Sequence, residues 1–453
     1  MKILIRSIKT DGQVLLLCLG ITVVLGISLV GIFSYTMNQL SAVARSQSWN
    51  ESLVLAEAGI EDALQEINKF SNTSTPGLSW NTTSDTDNWS SLGGNVYYVR
   101  RFINSDYYDV YITNSPTAPA IRSQGVKVTS NSFNRGNLTR TVWVQTKSAS
   151  LFQAGLLAKN GITLNGNVVI DSFDSQNLLY STNGQYIASK RKDGGNVATV
   201  VSNMNFAVSV GGSVQVFGKL YTGPGDTIKL VGGGSVGSLG WVNGGSAGIQ
   251  SSWSQHDLNI SIPDAPLPPT GGLSLPTKGS NTFQGTNQSN SYLLTGSSGG
   301  NYQTTALTLG SSDKILVTGN VKLYLNGNFS MSGGNSQIVV GTNASLTIYA
   351  GGTLSIGGNG AANMTGYATN LTVYGLTNNT SITLGGNAGF TGVIYAPQAA
   401  FTFNGGGSTP LDVMGSVVAD SITMNGKSQT HYDESLAKIP VGASYVVTAW
   451  KEL

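Results

Sequence analysis

From about Gly155 the chain repeats one short phrase: an apolar residue, any residue, a second apolar residue, then an Asn/Gly step. It reads ITLNGN at 162–167, LYLNGN at 323–328, LSIGGN at 354–359, ITLGGN at 382–387, FTFNGG at 401–406 and ITMNGK at 422–427. Alternation of period two turns every second side chain to one face, and Asn-Gly supplies the positive φ of a tight corner. The last four phrases stand roughly 20–30 residues apart, a spacing typical of solenoids. A coil of that size cannot bury its apolar face alone and must stack on the next. The pattern predicts a mainly β body, a β-solenoid read as a parallel β-helix, over at least 305–430. Asn-Gly also marks tight hairpin turns, so a β-sandwich of hairpins is the competing arrangement. Residues 232–300 are looser, hold Pro263, Pro266, Pro268 and Pro269, and read as a long loop or an extended wrap across the solenoid.

The N-terminal end obeys a different period. Val14 to Ser34 reads VLLLCLGITVVLGISLVGIFS, with no charge and no proline. As a helix it spans ~32 Å at ~1.5 Å per residue, matching a hydrocarbon core of ~30 Å. Lys2, Arg6 and Lys9 precede it, and positive flanks stay in the cytoplasm. A cleaved signal peptide would have an apolar region of only ~7–15 residues. The expectation is a single-pass inner membrane protein with its body outside. Leu53, Ile60, Leu64 and Ile67 then recur at helical spacing, with Glu51, Glu61, Asp62 and Glu66 on other faces. No proline occurs before Pro76, so one long helix is expected to run to about Phe70.

Four alternating segments follow, 96–100, 108–112, 125–128 and 138–144, rich in Tyr, Val, Ile and Thr. They predict a small antiparallel sheet packed on the amphipathic half of the helix. Arg100, Arg101, Arg122, Arg135 and Arg140 read as the polar face of this sheet, with an acidic partner site as the alternative.

Composition excludes several functions. Net charge is +2 and only 10% of residues are charged, which gives no electrostatic case for nucleic acid. Cys18 lies in the apolar run, so the body has no disulfide and no thiolate metal site. Polysaccharide lyases and hydrolases do use β-helices, but they need clustered acids. Here no Glu occurs between Glu66 and Glu434, and Asp313, Asp412 and Asp420 are scattered. His256 and His431 lack partners at zinc spacing. The group His431, Asp433 and Glu434 reads as a C-terminal cap, with Asp433 starting a short helix and His431 bonded to nearby backbone. Asp171, Asp174 and Asp193 could hold calcium, but turn and corner roles are expected, since no Asp/Gly calcium repeat is present. No catalytic residue, cofactor or metal is predicted.

A basic leader, a Gly before an apolar helix, and LAEAGIEDALQEIN at 55–68 resemble the N-terminal region of type IV pilus-assembly proteins of the PilX type, which are minor pilin-like proteins. The AEAGIE stretch, Ala56 to Glu61, is the most specific part. The resemblance implies a helix held first in the membrane and later packed against other pilin-like subunits in a filament. It also implies processing after a Gly, here Gly12, leaving Gln13 first, and it makes Glu57 and Glu61 candidates for assembly. Major pilins carry Glu at the fifth mature position; this chain has Leu17, which fits a minor or accessory role. Further on, YAP at 395–397, GSVVA at 415–419 and HYDESL at 431–436, with VIDSFD at 169–174, resemble a domain of unknown function often attached to such N-termini.

The expected layout is a leader over 1–12, a transmembrane and amphipathic helix over 13–70, and a pilin-like α+β head over 71–150. The solenoid follows over 151–435 with its loop at 232–300, then a tail over 436–453. The expected function is a minor pilin-like component that displays the solenoid outside. A second reading is an anchored adhesin whose aromatics (Trp241, Trp253, Tyr349, Tyr367, Tyr395) stack on surface polysaccharide. A β-helix enzyme is the third.

Overall fold

The computed structural model describes residues 11–69, 88–113, 118–129, 136–150, 152–260, 262–386, 389–405, 411–438 and 444–453. They form two compact units: the first takes its residues from 11–69, 88–147 and 445–453, the second from 148–444.

The first unit opens with one helix, α1, Asp11–Lys69. From Val14 to Leu40 every side chain is exposed, and the stretch is long and apolar enough to cross a membrane. Farther along, Ser52, Leu55, Ala56, Ile60, Ala63 and Ile67 are buried, the recurrence of one helical face. That face sits on an antiparallel sheet of Ser90–Gly93, Val96–Ile103, Asp106–Thr113, Ala120–Lys127, Leu138–Ala149 and Ser444–Glu452, in that order. Small residues set the approach. A Cβ on Gly59 would stand 2.2 Å from Ser123 Oγ, and one on Gly125 would stand 2.1 Å from the Ser52 carbonyl oxygen.

The sixth strand corrects the expectation of a C-terminal tail. Leu453 N–H donates to Thr141 O at 2.9 Å and Thr448 Oγ1 to Gln145 O at 3.2 Å, so Ser444–Glu452 runs antiparallel beside Leu138–Ala149. Edge pairing satisfies backbone groups that a free tail would leave to water. The two neighbours are separated in sequence by the whole second unit, which is therefore an insertion into a hairpin of the first.

The second unit is a three-sided parallel coil. Each strand pairs with the strand about one coil later, as in Lys314–Thr318 with Gln337–Val340 and Asn320–Leu325 with Ser345–Ala350. The apolar positions of every phrase point inward, so Leu309, Leu323, Ile356, Leu384, Phe403 and Met424 share one core. The looser region is only partly a loop. Ser235–Gly237, Gly248–Ile249, Ser254–Gln255 and Leu273–Ser274 are rungs, and Gly279–Phe283 forms a hairpin with Thr286–Thr295.

The stacking order departs from the sequence order. The last coil, Leu411–Asn425 with Lys427–Asp433, stacks on the first, Leu156–Ala158, Ile162–Leu164 and Asn167–Phe173. The chain thus enters in mid-stack and winds to one end by Gln255. It then returns along the outside to the other end at Leu273 and winds back to the middle. An unpermuted solenoid would leave its termini at opposite ends, separated by ~4.8 Å per coil. Insertion into a hairpin needs them adjacent, and here Ser150 Oγ donates to Leu436 O at 2.8 Å.

The returning segment, 256–260 and 262–272, lies within the 232–300 stretch expected as a loop or wrap. Gln255 and Ser274, on either side of it, lie on one register line that passes through Gln303, Tyr324, Tyr349, Tyr374, Tyr395, Val418, Leu157, Ala198 and Tyr221. The middle of this line, from Tyr374 to Tyr221, is the part packed beneath the strap, and there its residues are apolar or aromatic. Ile262 packs with Phe152, Leu157, Tyr395 and Val418 in a second core, and Tyr395 O–H donates to Pro263 O at 2.5 Å.

Candidate functional site

The two C-terminal and N-terminal motifs of the solenoid meet at the seam between last and first coils. His431 stands directly opposite Asp171, Tyr432 opposite Ser172, and Asp433 opposite Phe173. His431 Nδ1 lies 2.5 Å from Asp171 Oδ1, with the residues 1% and 0% exposed. Tyr186 stacks on the imidazole at 3.6 Å between centroids, and its O–H donates to Asp171 Oδ2 at 2.6 Å. Arg191 Nε reaches the same oxygen at 3.7 Å. Burial pushes the Tyr186 phenol up, with the Asp171 charge beside it adding to the shift. Asp412, on the neighbouring rung, is also pushed up by burial, and its Oδ1 has no hydrogen-bond partner.

The remaining motif residues continue the zipper. Tyr432 O–H donates to Phe152 O at 2.7 Å. Asp433 Oδ1 accepts from the N–H of Ser175 at 3.0 Å and of Ser435 at 3.1 Å. Ser172 Oγ donates to Glu434 Oε1 at 2.8 Å, and Lys192 pairs with the same carboxylate. The cap is thus present, with the short helix Glu434–Lys438 following Asp433. His431 is the correction: it binds a carboxylate one coil away rather than nearby backbone, because the stacking places Asp171 at its register position.

Other candidate residues are dispersed. Asp174 Oδ1 accepts from Gln176 N–H at 3.0 Å, a turn contact, and Asp193 Oδ2 accepts from Leu239 N–H at 3.2 Å. Asp171 is a strand residue rather than a corner one. Among the described residues no group of three or more His, Cys, Asp or Glu could hold a metal. His256 Nδ1 lies 2.8 Å from Thr222 Oγ1. Gly12 and Gln13 lie in the first turn of α1. Glu57 and Glu61 are exposed, and Glu61 lines a groove of about 600 Å³ with Asp62, Gln65, Tyr108 and Tyr445.

The arginines are largely used internally. Arg100 holds Asp109 through two bonds of 2.7 and 2.8 Å, and Arg101 Nε reaches Asp62 at 3.1 Å. Arg140 holds Glu452 through two bonds of 2.5 Å, and Arg122 stands over the Tyr111 ring at 6.0 Å. Arg135 lies outside the described residues. Of the aromatics proposed to stack on sugars, Tyr349 and Tyr395 are buried, Trp241 and Trp253 are half-buried, and Tyr367 is exposed.

The middle residue of each phrase is not arbitrary. On the third side the outward positions stack as Thr308, Ser330, Ser355, Thr383, Thr402, Thr423, Thr163 and Ser209 before the line reaches Lys229. All eight are half-buried or exposed, and none of their hydroxyls bonds to another group among the described residues. The corner Asn residues beside them do pair, Asn425 Nδ2 donating to Asn404 Oδ1 at 3.1 Å.

A family model described as a domain of unknown function (DUF7305) matches residues 279–439, which run from the end hairpin to the cap at the seam. No curated protein matches. Among solved structures, the competence-associated pilin ComZ from Thermus thermophilus is similar at 14% identity, with 90% of this chain and 97% of that chain covered and a TM-score of 0.27. A likeness that slight carries no functional argument.

Proposed function

We propose that the chain is a minor pilin-like structural component of a type IV pilus or related filament system, carrying its solenoid as an extracytoplasmic insert. The observation that carries this reading is the division of α1. Its first half is apolar and uncovered from Val14 to Leu40, while its second half is seated on a sheet by Ala56, Gly59 and Ala63. A bare apolar helix in water is unfavourable by roughly 25 cal/mol per Å², so it needs lipid first and neighbouring helices in a filament afterwards. The N-terminus is cytoplasmic in this reading, with cleavage after Gly12. The role is structural rather than enzymatic in this reading, since the buried Asp171–His431 pair is closed over by Tyr186 and joins coils.

The test is the intact mass of the N-terminus from purified membranes, with and without a prepilin peptidase. A chain beginning at Gln13 only when the peptidase is present supports the reading. An uncut chain in both samples overturns it in favour of a permanently anchored surface protein.

A further inference from the structure

We propose that the seam is a proton-linked joint: Asp412 takes up a proton as the last coil closes on the first, so mild acid tightens the solenoid. Only the second unit is involved, and an anchored protein of either kind would carry the joint.

The distribution of charge and partners carries it. The ionisable side chains that meet there come from four pieces of chain. Asp171 belongs to Asn167–Phe173 of the first coil, His431 to Lys427–Asp433 and Asp412 to Leu411–Asn425 of the last, and Tyr186 and Arg191 to the segment laid over them. The partners are spent on Asp171. His431 Nδ1 lies 2.5 Å from its Oδ1, Tyr186 O–H donates to its Oδ2 at 2.6 Å, and Arg191 Nε stands 3.7 Å from Oδ2. Lys192, the next residue, is held by Glu434. Asp412 is left over. It stands opposite Gln429, one rung behind the seam and two residues before Met414, which is opposite His431. Its Oδ1 is shut off from water and accepts no hydrogen bond, yet the residue as a whole is only half-buried, so solvent protons reach it.

A carboxylate oxygen buried without a donor is costly when charged and much less so when protonated. Burial is the largest influence on Asp412; the imidazole of His431 works against it and the Asp171 charge adds to it. The net result holds the Asp412 carboxyl above its ordinary value of 3.8. Opening the seam returns this group to water and to that value. Between 3.8 and the raised value the closed joint therefore binds more protons than the open one. Above the raised value the closed joint bears the whole cost of the buried charge. That cost is lifted as pH falls through the raised value, and nothing more is gained below 3.8.

The experiment follows amide hydrogen exchange by mass spectrometry in the full chain in detergent micelles, since exchange reports local opening. Asp412→Asn serves as the neutral mimic of the protonated acid. Parent and variant are compared at one pH at a time, which cancels the pH dependence of intrinsic exchange. At pH 8, peptides covering 167–173 and 427–433 should exchange about three-fold or more faster in the parent than in the variant. The ratio should fall toward one by pH 4. Peptides from Lys314–Thr318, several coils away, should exchange alike in the two proteins throughout. If Asp412→Asn does not fold, Asp412→Ser removes the same charge and makes the same comparison. Equal exchange at pH 8, faster exchange in the variant, or a ratio that stays constant between pH 8 and pH 4 overturns the proposal.

Discussion

His431 and Asp171 are 260 residues apart in the chain and 2.5 Å apart across the seam, both buried. Their pairing joins two stacks that wind separately, and it occurs where a hairpin insertion requires the ends of the solenoid to meet.

The seam should behave as one unit. Hydrogen bonds to charged groups contribute about 1.5–3 kcal/mol, so Asp171→Ala and His431→Ala should each destabilise the solenoid by about that much. The double variant should cost less than the sum, since each single change leaves a buried partner. Chemical denaturation of the four proteins checks this; additive losses would remove the pair from the stability account.

The strap should loosen before the coils do. Tyr395→Phe leaves Pro263 O without its donor, at a cost of about 0.5–1.5 kcal/mol. Limited proteolysis should then cut within 256–272 faster than in the parent, with the coil fragments still associated. An unchanged cleavage rate would show that apolar packing by Ile262 suffices.

The helix–sheet contact tolerates no added volume. Gly to Ala in a free helix stabilises by about 1 kcal/mol. At Gly59 the new methyl meets Ser123 Oγ, Val110 and Tyr108, so Gly59→Ala should instead destabilise the first unit, by about 1–3 kcal/mol as overpacking does. A higher melting temperature would refute this.

Acid should weaken the first unit through Asp109. Burial alone would raise this carboxyl, but hydrogen bonds from Arg100 and Tyr98 hold it below the ordinary value of 3.8. The folded state then binds fewer protons than the unfolded one. This stabilisation is complete above that value and is lost as pH falls through the lower folded value. Asp109→Asn should lower stability at neutral pH and flatten its fall in acid. Parallel pH profiles for parent and variant would count against the assignment.

The insertion predicts that the first unit closes without the solenoid. Joining Lys147 to Tyr445 through a two-residue Asn-Gly turn should preserve the order of sheet strands and the Arg140–Glu452 pair. Loss of the folded sheet in that shortened chain would show that the solenoid is needed for it to fold.

Periodicity is a local property, and what depends on it was legible in the residues. The apolar run and the recurrence of Leu53, Ile60, Leu64 and Ile67 specify one helix, and the apolar-x-apolar phrases specify short strands with Asn-Gly corners, for which stacked coils and hairpins were the two competing arrangements. Even HYDESL and VIDSFD were visible as motifs, through their resemblance to a known domain, although not as partners. Which rung lies on which depends on contacts between residues hundreds of positions apart, and no local pattern records that. Tertiary structure alone therefore brought His431 to Asp171 and laid the strap over the tyrosine line. It also turned the nine consecutive residues Ser444–Glu452 into a sheet strand and joined Thr423 to Thr163 in one continuous face.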